Sequence, residues 1–300
     1  MKVLITGKNS YIGDHVNTWL LLKGSFDTHV LDMIGEAWRD FDMTGFDAVY
    51  HVAGIAHADV GSVSDETKAL YYKVNCDLAY ECAKKAKEAG VGQFIYMSSQ
   101  IVYRSGTDVR KKTVIDRTTK PDPENFYGDS KLQAEIKLES LRDDTFRVVI
   151  LRPPMIYGRE SKGNFQTLVK MALKLPVFPA IINERSMLYV DNLSEFVSLM
   201  LINHEDGVFW PQNSEYVCTA NAVSLLAEGM GRKVHLLKIL NPFVYLLGIL
   251  GGKFGKLANK AFGSVVCDLK MSEYKDNYRV VSFEESIRRS LPTKGGDSLG

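Results

Sequence analysis

Five short, nearly uninterrupted apolar runs set the limits on what this chain folds into: Lys2 to Thr6, Phe26 to Leu31, Asp47 to Val52, Gln93 to Met97 and Arg147 to Leu151. Runs of this length, with little alternation of polar and apolar residues, read as strands buried on both faces of a parallel sheet. Parallel strands need crossover connections, and helical periodicity supplies them. Val16, Trp19, Leu20 and the stem of Lys23 recur at helical spacing, and Leu70 to Ala89 is helical by period up to Gly90. The pattern predicts an α/β, doubly wound parallel sheet.

Past Leu151 the alternation thins. The rest holds mainly helices, at Phe165–Leu175, Leu193–Asn203, Ala222–Gly231 and Asn241–Leu250, with short extended pieces such as Ser186–Val190. Residues 1–160 are therefore expected to form a nucleotide-binding domain, and 161–300 a smaller mixed, mostly helical cap. The boundary, near 155–165, is soft, and the chain is free to cross back over it. Arg104 to Glu124, polar and holding Pro121 and Pro123, reads as a long functional loop.

Composition removes several classes. A net charge of +1 leaves no global field for nucleic acid or anionic lipid. Cys76, Cys82, Cys218 and Cys267 are scattered without a C-x-x-C, as expected of reduced thiols in a cytoplasmic protein. No residue grouping has metal-ligand spacing, so no metal is expected. Leu236 to Leu250 is the greasiest stretch, but it contains Lys238, Asn241 and Pro242 and is too short to span a bilayer. It is expected to be a core or interface helix, with shallow membrane contact as the alternative.

The first run ends in Gly7-Lys8-Asn9-Ser10-Tyr11-Ile12-Gly13 and leads into a helix. Strand, glycine turn and helix form the context in which a pyrophosphate lies against a helix N-terminus. Asp32 closes the second run, where an acid accepts hydrogen bonds from ribose hydroxyls and repels a 2′-phosphate, favouring NAD over NADP. A solvated strand-end acid is the alternative. Only about 15 residues then separate it from Asp47, too few for the helix and strand such folds insert there, so Asp42-Met43 is a second candidate for the adenosine pocket. Tyr127 and Lys131, four apart, share one helix face. A lysine ammonium beside a phenol favours its phenolate and so makes an acid/base group.

Taken together, these residues resemble the extended short-chain dehydrogenase/reductase family of NAD-dependent nucleotide-sugar epimerases and dehydratases. The resemblance rests on Thr6-Gly7…Tyr11-Ile12-Gly13, His51-Val52-Ala53-Gly54, Asn75, Ser98-Ser99…Val102-Tyr103, Tyr127…Lys131, Leu151-Arg152-Pro153-Pro154…Tyr157-Gly158 and Arg185…Tyr189-Val190-Asp191-Asn192-Leu193. Leu175 to Pro179 and Asn183 to Ser186 look most like the branch of UDP-hexose 4-epimerases and 4-keto-hexose reductases.

The resemblance implies a Rossmann-type domain that binds NAD, with NADP still open. Tyr127 would be the acid/base, and Lys131 would lower its pKa and bind the nicotinamide ribose. Ser99, with Ser98 as the second choice, would hydrogen-bond the substrate oxygen. Gly7, Asn9, Ser10, Tyr11, Ile12 and Gly13 would surround the pyrophosphate. Asp32, Met33, Val52, Ala53, Gly54, Asn75, Ser98 and Pro154 would line the rest of the cofactor site. Asn164 and Arg185 fall where the family holds the substrate diphosphate, although a helix cap and a surface charge remain alternatives.

Where dehydratases of the family carry an Asp-Glu pair, this chain has Gln100-Ile101, so dehydration is not expected. No second arginine stands near Val265 to Lys270. The expected activity is 4-epimerisation or 4-keto reduction of a nucleotide-linked hexose, with UDP as the nucleotide, by a homodimer formed through Leu70–Ala89 and Tyr127–Leu141. A non-catalytic dinucleotide-binding module on the same fold is the other reading.

Overall fold

The computed structural model describes residues 1–56, 63–104 and 108–292. The first half runs β1 (Lys2–Thr6), α1 (Tyr11–Lys23), β2 (Asp27–Leu31), β3 (Ala48–His51), α2 (Asp65–Tyr72), α3 (Leu78–Glu88), β4 (Gln93–Met97), β5 (Lys112–Ile115), α4 (Phe126–Glu139) and β6 (Arg147–Leu151). The second continues with β7 (Met155–Tyr157), α5 (Asn164–Lys174), β8 (Val177–Pro179), β9 (Met187–Tyr189), α6 (Val190–Ile202), β10 (Gly207–Phe209), α7 (Thr219–Gly229), β11 (His235–Leu237), α8 (Asn241–Leu250), α9 (Gly252–Phe262), β12 (Ser264–Cys267) and α10 (Phe283–Arg289).

Six strands form one parallel sheet in the order β10-β6-β4-β3-β1-β2. Each central strand buries both faces, and alternate residues serve different layers. Val3, Ile5, Ile95 and Val149 pack toward α1 and α6, whereas Leu4, Phe94, Tyr96 and Val148 pack toward α3 and α4. This is a doubly wound, Rossmann-like fold. Its outer strand β10 and its helix α6 come from beyond residue 161. Glu195 of α6 anchors that helix by accepting from Trp19 at 2.8 Å and pairing with Lys23 at 2.7 Å.

Local chemistry sets the helix ends. Ser10 accepts from the Gly13 N–H to open α1, and Gly24, at φ 71°, closes it in the left-handed region. Asn125 caps α4 through the Gly128 N–H.

Several expectations need correction. Leu70 to Ala89 is not one regular helix: α2 starts earlier, and a π-turn at Lys73–Asp77 separates it from α3. The Arg104–Glu124 stretch, of which 105–107 lie outside the described residues, contains β5, which pairs in parallel with β12. Between β2 and β3 there is a single 3-10 turn at Ala37–Asp40, so a helix and strand are indeed missing there. Asp42 accepts from the Thr44 N–H and Met43 is core, so neither reaches the nucleotide side. In α8 only Val244 is buried, where it joins the cap core, so of the core and interface alternatives for Leu236–Leu250 the core one is not met.

Candidate active site

One open cleft of about 2650 Å³ runs along the C-terminal ends of the strands and under the cap. In an open α/β sheet this is where ligands bind. Gly7, at φ 95°, allows β1 to turn sharply, and a Cβ there would lie 2.9 Å from the Ala53 nitrogen. Gly7 through Ile12 border the cleft, with the N-terminus of α1 at its edge. Asp32, Met33, Val52, Ala53 and Gly54 continue the wall. Glu36, just before the 3-10 turn, and Trp38 and Arg39 within it join them, and no sequence signal marked these three as cleft residues.

Gly13 and Asn75 stand behind that wall. A Cβ on Gly13 would press on Val52 at 3.1 Å, so its smallness serves helix–strand packing. Asn75, fully buried in the π-turn, accepts from the Ile55 N–H at 2.8 Å and donates to the Ile55 carbonyl and to Ser130 Oγ, both at 3.1 Å. A π-turn is a frequent device for aiming a side chain at a functional loop.

The far end of the cleft gathers Ser98, Ser99, Tyr127, Lys131 and Pro154. Ser99 follows β4 and accepts from the Ile101 N–H at 3.2 Å. Ser98 is buried and donates to Glu135, whose carboxylate pairs with Arg152 at 2.5 Å. Arg152 in turn donates to the Tyr103 hydroxyl at 2.6 Å. The Lys131 ammonium donates to the Met97 carbonyl at 2.9 Å, and burial pulls it down to about 8 against the opposing pull of Glu135. A Cβ on Gly54 would lie 3.2 Å from this ammonium and 3.0 Å from Asn75 Oδ1.

Tyr127 is partly exposed at the cleft floor. Packing around its ring pushes the phenol up to about 12, with Tyr71 adding to the shift. Lys131 was expected to lower this pKa. Its ammonium is instead committed to Met97, and the phenol stays protonated at neutral pH. His51, buried at the end of β3, is pushed down to about 3 by burial and by Lys131, and hydrogen-bonds Thr6 at 2.9 Å.

Under the cap the cleft is bounded by Asn164, Arg185, Lys256, Asn259, Lys260 and Val265. Asn164 is exposed at the start of α5, where Gly163 is the capping residue. Arg185 donates to the carbonyl of Lys260 at 2.6 Å and that of Gly263 at 3.4 Å, which fastens it to the end of α9. The α9 lysines escaped the sequence reading, because a glycine-led amphipathic stretch carries no distinctive spacing. Among the described residues no His, Cys, Asp and Glu cluster could hold a metal ion.

Residues 3–210 match the model of the NAD dependent epimerase/dehydratase family. The chain belongs to this family. As a member of the epimerase/dehydratase family it is 29% identical to a UDP-glucose 4-epimerase from Vibrio cholerae, over 89% of this chain and 87% of that one. It is 30% identical to an N-acetyl-α-D-glucosaminyl-diphospho-ditrans,octacis-undecaprenol 4-epimerase from Escherichia coli O157:H7, over 79% of this chain and 69% of the other. The fold of this family member resembles that of a Bacillus cereus UDP-glucuronic acid 4-epimerase solved with NAD. The TM-score is 0.72, at 18% identity and 97% coverage of both chains.

Proposed function

We propose that the chain moves hydride to and from C4 of a diphosphate-linked hexose, as a 4-epimerase or a 4-keto reductase. The observation that carries this reading is the joining, in one cleft, of the α1 N-terminus with Ser99, Tyr127 and Lys131. A bound NAD or NADP supplies the hydride acceptor and donor. The residues fit such a group: Gly7 leaves no Cβ in the cradle, the α1 N-terminus borders the cleft where a pyrophosphate would lie, and Asp32 lines it where ribose hydroxyls would be met. Lys131 would hold the second ribose and Pro154 the nicotinamide.

Tyr127 exchanges the proton of the substrate oxygen, and Ser99 positions that oxygen by a hydrogen bond. At about 12 the phenol is a weaker acid than an ordinary tyrosine, so its proton exchange needs added positive charge, which a bound oxidised nicotinamide would supply. Arg185, Lys256 and Lys260 supply positive charge for the diphosphate. Gln100 supplies no carboxylate where a dehydratase needs one. The carrier is a nucleotide, UDP by analogy with the Vibrio cholerae relative. The Escherichia coli relative supports a second reading, in which the diphosphate joins the sugar to a polyprenol. The homodimer pairs the α2–α3 and α4 face, where Leu70 and Ile136 are exposed.

The test is the Tyr127→Phe variant with UDP-hexoses and their 4-keto forms. Turnover is expected to fall about a hundredfold or more while dinucleotide binding stays. Undiminished turnover would sink the mechanism. Near-stoichiometric dinucleotide released on denaturing the wild type marks the epimerase, and its absence marks the reductase.

A further inference from the structure

Helices α8 and α9 form a hairpin whose outward side is greasy. Phe243, Leu246, Ile249, Leu250, Phe254 and Leu257 are all exposed, Leu250 at 71% and Phe254 at 73%. Of the 19 large apolar residues exposed among the described residues, 8 fall within 239–257. Scattered exposed leucines are ordinary, but a contiguous set on one element marks a contact surface.

The hairpin is firmly built. Gly255 packs so closely on α8 that a Cβ would lie 2.6 Å from the Leu247 carbonyl oxygen, and Asn259 donates to the Gly248 carbonyl at 3.2 Å. Asn259 also accepts from the Val109 N–H at 2.9 Å, while Val244, Ala258 and Phe262 anchor the inner side in the cap core. The apolar residues are therefore held outward by a fixed frame.

Charge identifies what covers them. From Gly229 to Cys267 the sequence has no Asp or Glu, yet it holds Arg232, Lys233, Lys238, Lys253, Lys256 and Lys260. In a chain of net charge +1, the segment that carries these exposed apolar residues is thus left with positive charge uncompensated by any acid of its own. A second copy seated on this face would oppose like charges. Among the described residues no helix is long and apolar enough to cross a membrane, and α8 has only 10 residues. Short, apolar and cation-rimmed is the description of an element that lies in the headgroup region of an anionic bilayer.

We propose that the α8–α9 hairpin docks the protein on an anionic membrane surface. Because Lys256, Asn259 and Lys260 of the same α9 also bound the cleft, docking brings the cap end of the cleft to the lipid surface. This inference stands on the hairpin alone and is independent of which sugar the cleft accepts.

The experiment is cosedimentation of the full chain with vesicles of phosphatidylcholine, either pure or with about 30% phosphatidylglycerol. The wild type is expected to bind the anionic vesicles at least about tenfold more tightly than the neutral ones. Leu250→Glu/Phe254→Glu and, separately, Lys238→Glu/Lys253→Glu should each lose about tenfold or more of that binding, with melting temperature unchanged. Wild type that stays in the supernatant with both vesicles overturns the proposal. Binding that both double variants retain also overturns it. A wild-type oligomer that Leu250→Glu/Phe254→Glu dissociates, without vesicle binding, assigns the face to a protein partner instead.

Discussion

Asn75 hydrogen-bonds both the N–H and the C=O of Ile55, at 2.8 and 3.1 Å, from the middle of the π-turn that separates α2 from α3. One amide thereby replaces the missing sheet partner of the segment after β3 and fixes the wall formed by Ala53 and Gly54. Its remaining donor goes to Ser130 on α4, so three segments of the cleft share a single side chain.

Asn75→Ala should therefore cost about 1–3 kcal/mol, because buried polar groups are left without partners. Dinucleotide affinity should fall along with stability, since the wall loses its tether. Urea unfolding and titration with NADH measure both. A variant with lowered stability but unaltered affinity would show that the tether serves folding only.

Lys131 carries a pH signature. Its ordinary pKa of 10.5 drops to about 8 in the fold, so between those values the unfolded chain binds the extra proton. Stability therefore rises with pH across that window. Below about pH 8 the fold bears the whole cost of the buried ammonium, about 3 kcal/mol, and above about pH 10.5 it bears none. Lys131→Met should be more stable than wild type at about pH 7 by about 1–2 kcal/mol, the lost bond to Met97 offsetting part of the gain. Near pH 10 the advantage should have mostly gone. Urea titrations of both proteins at the two pH values decide this, and a pH-independent difference would count against a buried charged lysine.

The parallel sheet was legible because strands buried on both faces must be almost wholly apolar, as Gln93–Met97 and Arg147–Leu151 are. The short β5 was not, since Lys112 and Val114 are exposed and its partner β12 lies about 150 residues away. Leu236–Leu250 read as a core or interface helix because composition reports hydrophobicity and not burial, and α8 turns most of its large apolar side chains outward. The turn at Gly7 and the face shared by Tyr127 and Lys131 were readable from local spacing. The π-turn that aims Asn75 was not, because the shift of about 100° that one extra residue gives the apolar face is hard to recognise between two helices as short as α2 and α3. Nor could sequence show that the Lys131 ammonium turns to Met97, a choice made by tertiary packing.

Glu135 and Arg152 form a buried pair that also holds Ser98 and Tyr103. Glu135→Gln leaves the guanidinium half-enclosed without its counter-charge and should cost about 3–5 kcal/mol. Replacing both, as Glu135→Leu/Arg152→Met, should recover most of that loss, because well-packed apolar groups avoid the desolvation penalty. A double-mutant cycle of Glu135→Leu, Arg152→Met and the two together, followed by urea unfolding, gives the coupling. If the double variant is as unstable as the sum of the single ones, the two residues act separately and the network reading is wrong.

Gly128 lies one residue after Tyr127, where α4 runs against the turn that follows Ser99. A Cβ there would stand 2.5 Å from the Ile101 carbonyl oxygen and 2.9 Å from Pro123. In an open helix Gly→Ala gains about 1 kcal/mol of propensity. At this position the obstacle is backbone, which cannot swing aside, and overpacking costs about 1–3 kcal/mol. Gly128→Ala should thus fail to stabilise, and any relief must come from the turn moving away from α4. That motion would part Ser99 from Tyr127, so kcat should fall about tenfold or more with dinucleotide affinity preserved. A control at Gly90, where nothing lies within 4 Å but φ is 81°, should lose stability through backbone strain with little change in kcat. Matching kcat losses in the two variants would mean that general destabilisation, and not the spacing between Ser99 and Tyr127, sets the rate.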